Sequence, residues 1–206
     1  MQVRRVRSGR VRAALVVICG LTLVLPSGGC SWAGGVPLNE NEVVKETAWG
    51  PLSDPGRRLI RKVRLANLWE LPMAEEADSR AQSPKVREIS KTIAYQHRYI
   101  LEPRVRAVAA QLGIDLPTRP SAQQAAWMSD IRGRSGQAYD LTYIKWLRFA
   151  HGQIFGLIGQ VRGTSQNSVV RSFAEDANKY VLLHMQLLES VGLTRPDSFP
   201  PPPEYY

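Results

Sequence analysis

The stretch YIKWLRFAHGQIFGLIGQVR, residues 143–162, decides the fold of this chain. Its apolar residues recur at alternating intervals of three and four, which places them on one face of an α-helix. That face consists of Ile144, Leu147, His151, Ile154 and Ile158. The pattern predicts a helix over about 138–162 with a histidine in the middle of its buried face.

Two further helices are predicted upstream of this stretch. The first spans about 55–81, and the second begins after Ser83, a good N-cap followed by proline, and ends at Gly113. Pro72 and Pro103 fall inside them. Because proline lacks the backbone N–H, we expect each one to bend its helix.

The last long helix is predicted from the N-cap Asn167 to Gly192, a residue suited to ending a helix. A short helix is expected from Ser121, in the connection between the second and third long helices. Nothing in the mature chain shows the alternation of a strand. The fold class is therefore all-α, an antiparallel four-helix bundle over residues 55–193 with one short extra helix.

The N-terminus, residues 1–29, resembles a signal peptide. Five arginines and no acid precede an apolar run over 13–25, and small residues follow it. A helix of about 13 residues reaches about 20 Å, short of the roughly 30 Å hydrocarbon core, so a stable membrane span is disfavoured. The alternative is an uncleaved N-terminal anchor.

Cys30 directly follows Gly28 and Gly29, a pattern that resembles the processing site of bacterial lipoproteins. That resemblance implies a lipid on Cys30 and an extracytoplasmic protein anchored to the cell membrane. Cleavage after Ala33 is the competing interpretation and implies a secreted protein. Residues 30–54 are then a flexible tether.

Residues 194–206 form a proline-rich tail, which predicts extended polyproline II structure and a segment able to contact an envelope protein partner. The chain carries a net charge of +9, but five of these charges belong to the arginines of the signal peptide. The remaining excess is spread along helices, which argues against a nucleic-acid-binding protein. The sequence predicts no oligomeric state.

Three histidines, His97, His151 and His184, lie on the apolar faces of three different predicted helices. Glu70 interrupts the apolar face of the first helix in the same way. Counted from the helix ends, the four residues lie at similar depths, within about 6 Å of each other. Since unpaired burial of such groups costs several kcal/mol, we expect them to meet in one cluster.

Two interpretations of this cluster are open. Three imidazoles and a carboxylate suit the binding of a small ligand or of a single ion of iron, copper, zinc or manganese. The residues three before the histidines are Ala94, Arg148 and Val181, not glutamates, which argues against a dinuclear centre. The alternative is a hydrogen-bonded polar layer in a structural or interaction protein of the cell envelope. An enzyme ranks third, because no hydrolase signature and no glycine-rich phosphate loop is present.

Five segments carry a resemblance to a bacterial family, domain of unknown function 4142. They are VRLANLWELPMAEEA, SPKVREISKTIAYQH, LGIDLP, WLRFAHGQIFGLIGQVR and HMQLLESVGL, within about residues 50–193. The resemblance implies an exported protein with a ferritin-like four-helix bundle, inward histidines at the three positions above and an inward acid at Glu70. It implies no activity.

In many members of that family an acidic residue precedes the second- and third-helix histidines. Here these positions are Gln96 and Ala150. The departure implies a site without acidic partners for its histidines, and thus weaker binding of a metal.

Overall fold

The computed structural model describes residues 45–202, so the predicted signal peptide and Cys30 lie outside the described residues. Within this range the chain is all-helical, as predicted, and its sole extended pairing is an isolated bridge between Lys45 and Leu52. None of the described helices combines the length and the apolar character that crossing a membrane requires.

Six α-helices make up the described residues. They are α1 (Asp54–Arg80), α2 (Pro84–Gln96), α3 (Glu102–Leu112), α4 (Ala122–Arg132), α5 (Gly136–Thr164) and α6 (Ser168–Glu189). A π-helical turn, His97–Leu101, joins α2 to α3, and a 3₁₀ turn, Pro196–Ser198, follows α6. The long helices lie within a few residues of the predicted bounds, and α4 is the predicted short helix.

The helices begin where side chains satisfy the free N–H groups of their first turns. Ser53 accepts from the backbone of α1 and Ser83 from that of α2. Ser121 and Gln124 form a reciprocal capping box at α4. At the end of α3, Gly113 takes a φ of 64°, a left-handed conformation that glycine adopts without strain.

The second predicted helix is interrupted by the π-helical turn, which lies directly before Pro103. Glu102 N–H donates to the carbonyl of His97, five residues back. This wider turn changes which side chains face inward. Leu101 is 4% exposed, whereas Ile100, which the regular period places inward, is half-buried.

Two apolar clusters fill the interior, and the predicted site lies between them along every helix. The first includes Leu59, Val63, Val105, Ile158 and Phe173. The second includes Trp69, Met73, Ile93, Leu147 and Leu188. Helix α1 contacts α2 and α5, and α5 contacts α6. Burying each large apolar side chain contributes about 1.5–3 kcal/mol, so the site is held by packing on both sides.

The three-four interval in the last helix predicts a buried face that includes Phe173, Tyr180, His184 and Leu187, and the observed face of α6 is shifted by one residue at two of these places. Val181 and Leu188 are buried, whereas Tyr180 and Leu187 are half-buried. The predicted and the observed face both satisfy the three-four interval, because Tyr180 is followed by Val181 and Leu187 by Leu188. The contacts of α6 with α5 and α2 select one of the two.

Residues 45–53, which the sequence analysis assigned to the tether, pack against the start of α6. Leu52 is 1% exposed and belongs to the first apolar cluster. Asn167 Nδ2 donates to Thr47 Oγ1 at 2.9 Å and to the Gly50 carbonyl at 2.8 Å, while its Oδ1 accepts from Val170 N–H at 3.1 Å. This side chain therefore caps α6 and fastens the preceding segment to it.

We expect Asn167→Ala to destabilise the protein by about 2–3 kcal/mol, because it removes a helix cap and strands buried hydrogen-bond partners. Asn167→Asp is the matched control, since its carboxylate still caps α6 but cannot donate to Gly50. Urea unfolding should rank wild type above Asn167→Asp above Asn167→Ala. Equal stability of the three proteins would contradict this role.

The beginning of the predicted tail lies against α5. The contacts are Lys145 Nζ to Asp197 Oδ2 at 2.8 Å, the Arg148 guanidinium 4.5 Å from the Phe199 ring centroid, and Pro200 against Gly152. A Cβ at Gly152 would lie 2.7 Å from Pro200 Cδ. Part of the proline-rich segment is thus packed on the bundle.

Candidate metal centre

Glu70, His97, His151 and His184 meet in the interior, as the sequence predicts. Helix α1 supplies Glu70, the π-helical turn begins with His97, and α5 and α6 supply the other two histidines. Each residue is at most 3% exposed. One ligand atom from each lies within 4.8 Å of the other three.

The separations between these atoms match those around a single ion. His97 Nε2 lies 3.2 Å and His151 Nε2 3.5 Å from Glu70 Oε2. His151 Nε2 lies 3.0 Å from His184 Nδ1. Two ligand atoms that each lie about 2.1 Å from one ion are about 3.0–3.4 Å apart when the ligand–ion–ligand angle lies between about 90° and the tetrahedral angle. The other pairs lie within 4.8 Å, so the widest of them would have to close by up to about 1.4 Å to reach the tetrahedral separation.

The outward nitrogen of His97 is fixed by a chain of hydrogen bonds. Its Nδ1 lies 2.6 Å from Asn67 Oδ1, and Asn67 Nδ2 donates to Glu102 Oε2 at 2.9 Å. Because the carboxylate can only accept, the orientation of the amide is set. His97 Nδ1 must therefore donate, so the inward Nε2 is the nitrogen free to act as a metal ligand.

The other two histidines are oriented in the same manner. His151 Nδ1 lies 2.7 Å from the carbonyl of Leu147, a backbone acceptor. His184 Nε2 lies 2.7 Å from Gln96 Oε1. Each outward nitrogen donates to an oxygen, so each inward nitrogen of a neutral ring carries a lone pair.

Inside the cluster, atoms that accept hydrogen bonds therefore face one another with no donor from the described part of the chain between them. Glu70 Oε2 and His97 Nε2 are buried and, within residues 45–202, neither has a partner in hydrogen-bond geometry, although they are 3.2 Å apart. His151 Nε2 and His184 Nδ1 face each other at 3.0 Å. Only a shared proton or a cation makes such an arrangement favourable.

Burial keeps two of the three histidines uncharged. Burial lowers the pKa of His151, and the charge of Glu70 offsets this only in part. Burial, followed by the neighbouring His151 and His97, holds the pKa of His184 well below its ordinary value of 6.5. Burial raises the pKa of Glu70, but the imidazoles of His151 and His97 outweigh it and lower that pKa overall. At neutral pH, His151 and His184 are neutral rings beside a carboxylate.

Sequence analysis missed the outer partners Asn67 and Glu102. Arg64 Nη1 pairs with Glu102 Oε1 at 2.5 Å. Burial raises the pKa of Glu102, but hydrogen bonds from Arg64, Asn67 and Arg106 outweigh it and lower that pKa overall. The inward position of Asn67 could have been predicted, since it lies four residues after Val63 and three before Glu70 on the same helix face.

Gln96 gives His184 an outer partner, while the weaker metal binding expected from an amide in place of an acid remains a prediction. The Gln96 amide oxygen accepts from His184 and so provides the outer partner that an acid would otherwise supply. Ala150 contacts no histidine in this way and instead lines a groove at the surface.

The cluster adjoins an inner cavity and an outer groove. The cavity, of about 20 Å³, is lined by the four site residues together with Val63, Ala66, Leu101, Ile154, Ala177 and Val181. The groove, of about 100 Å³, is bordered by α1, α4 and α5, and its lining includes Trp69 and Trp127. Ala66, Glu70 and Ile154 line both spaces.

The comparisons with known proteins give one match. The family model described as Domain of unknown function (DUF4142) matches residues 42–191, more than half of the chain. All four site residues fall inside this range. No curated protein and no solved structure matches the chain.

Proposed function

The chain belongs to the DUF4142 family, and we propose that it binds one transition-metal ion, of iron, copper, zinc or manganese. The ligand atoms are Glu70 Oε2, His97 Nε2, His151 Nε2 and His184 Nδ1. The observation that carries this proposal is the 3.0 Å contact between His151 Nε2 and His184 Nδ1. The other nitrogen of each ring already donates a hydrogen bond to an oxygen outside the cluster. An ion placed among four such lone pairs removes their mutual repulsion.

The rival proposal is a buried polar layer in an interaction protein, held together by one proton in place of the ion. We expect the purified full chain to hold one metal ion per chain by mass spectrometry of the elements. His97→Gln should lower that content strongly, whereas Lys91→Gln, an exposed change outside the site, should leave it unchanged. If the wild-type protein retains no ion after incubation with each metal, the metal proposal is contradicted and the polar-layer interpretation is favoured.

We further propose that the helices form an antiparallel four-helix bundle of the ferritin-like kind, with α2 and α3 acting as one long helix. Cavity residues precede the ligands in α1 and α6 but follow them in the π-helical turn and in α5. This alternation supports helices that run in alternating directions. An experimental structure in which α1 and α2 run parallel would contradict the arrangement.

Lipid anchoring at Cys30 and an extracytoplasmic location are the remaining proposals, and they rest on the N-terminal sequence. Cys30→Ala is expected to release the protein from membranes or to leave an unprocessed precursor. Detergent partitioning and the mass of the mature protein report the outcome. If neither changes in the variant, the lipid proposal is wrong, and cleavage after Ala33 becomes the better interpretation.

A further inference from the structure

The inner cavity lies on one side of the metal cluster only. Several of its apolar lining residues stand about one helical turn from the ligands, namely Ala66 in α1, Leu101 after His97 and Val181 in α6. On the opposite side the neighbouring side chains are Met73, Ile93, Leu147 and Leu188, which are fully buried within the second apolar cluster. An ion at the cluster would therefore be covered by packed side chains on one face and open on the other.

The size and chemistry of the cavity restrict what can occupy that open face. A volume of about 20 Å³ holds one small molecule. Apart from the four site residues its lining is apolar. Among the described residues, the rest of the wall offers no hydrogen-bond donor or acceptor to a bound water or anion, so it suits an uncharged, weakly hydrogen-bonding molecule better. The fitting ligand is uncharged and of diatomic size.

We propose that the cavity binds an uncharged diatomic molecule of the class of dioxygen and nitric oxide, which coordinates the ion at its open position. This inference rests on the proposed metal site. Four protein ligands leave an iron(II) ion with open positions. Coordination forms one dative bond and breaks none, so no further reactant is required.

The outer groove provides the route by which such a molecule reaches the cavity. It is open to solvent at the exposed side chains of Gln123 and Gln153. Ala66 and Ile154 border both spaces, so these two side chains lie at the boundary that an entering molecule would have to cross. Ala150 lines the groove alone. Filling the groove should slow access, whereas filling the cavity should prevent binding.

Nitric oxide is the probe for this proposal. The full chain, loaded with iron(II) under anaerobic conditions, should develop the half-integer-spin electron paramagnetic resonance signal of a ferrous nitrosyl. Azide, an anion, should leave the iron spectrum unchanged. Ala150→Leu should slow the appearance of the nitrosyl signal without lowering its final amplitude.

Variants that fill the cavity supply the decisive comparison. Val181→Ile adds one carbon to the cavity wall and should weaken nitric oxide binding about tenfold or more, and Ala66→Val should do the same from α1. Val108→Ile, the same enlargement in the first apolar cluster, should leave nitric oxide affinity unchanged. Iron content is measured first in every variant.

The outcomes separate the two proposals. A chain that takes up no iron would contradict the metal site itself. A chain that binds iron but gives no nitrosyl signal, or whose nitrosyl affinity is the same in Val181→Ile, Ala66→Val and wild type, would overturn the cavity proposal alone. Binding of azide in preference to nitric oxide would overturn it as well.

Discussion

Adding the fitting divalent ion to metal-stripped protein is expected to raise its melting temperature by about 5–10 °C. An ion that binds only the native state stabilises it by about 2.7 kcal/mol at a hundredfold excess over its dissociation constant. For a domain of this size, 1 kcal/mol corresponds to about 2–4 °C. Thermal unfolding monitored by circular dichroism, with iron(II), copper, zinc and manganese tested separately, measures the shift.

Variants of the ligands should abolish this response. His151→Ala and His184→Ala remove two of the four ligands, so their melting curves should be the same with and without ion. Tyr143→Phe is the matched control, because it breaks the buried hydrogen bond from Ser90 to Tyr143 and lowers stability without touching the cluster. It should keep the full ion response. A wild-type melting curve indifferent to all four metals would refute the metal proposal.

The outer partners allow a graded version of the same experiment. Asn67→Leu removes the acceptor that orients His97. Loss of such a partner typically weakens metal binding by about 10–100-fold. Asn67→Asp retains an acceptor for the His97 N–H and should fall between wild type and Asn67→Leu. On the polar-layer interpretation the three proteins would differ in stability but none would respond to an ion.

The metal-stripped protein should lose stability steeply as the pH falls from about 7 to 5. Burial lowers the pKa of His151 and of His184 in the folded state. The unfolded chain therefore takes up protons on these two residues as the pH falls through 6.5, while the folded chain does not. Unfolding is favoured accordingly, by up to about 1.4 kcal/mol per pH unit for each histidine.

Glu70 adds a second, more acidic step. Its pKa is lowered in the folded protein, so its contribution is present above 4.5 and is lost as the pH falls below that value. Urea unfolding at a series of pH values measures both steps. His184→Gln removes one titrating group and should reduce the slope between pH 7 and 5. A slope equal to that of wild type would show that His184 does not titrate as its burial requires.

The inward position of all four site residues followed from the sequence, because a helix face is set by the local interval between residues. The same holds for the helix ends. The helix caps Ser83, Ser121 and Asn167 accept hydrogen bonds from residues only three positions later. Their effect can therefore be predicted from a short stretch of sequence. The all-α class needs no other information.

Two faces were assigned incorrectly from the pattern alone. The π-helical turn before Pro103 brings Leu101 inward in place of Ile100, and α6 buries Val181 where Tyr180 fits the interval equally well. In both cases the sequence permits two registers whose local energies are similar. Packing against neighbouring helices chooses between them, and this choice depends on residues far apart in the chain.

The chemistry of the site was decided by the tertiary structure. The sequence placed three histidines and a carboxylate at one depth, but which nitrogen of each ring faces inward depends on its outer partner. Asn67 lies 30 residues from His97 in the chain, and Gln96 lies 88 residues from His184. These two hydrogen bonds arise only when separate helices are brought together, whereas His151 finds its partner, the Leu147 carbonyl, within its own helix. The cavity beside the cluster likewise depends on the tertiary structure, since its walls come from α1, α5, α6 and the turn that begins at His97.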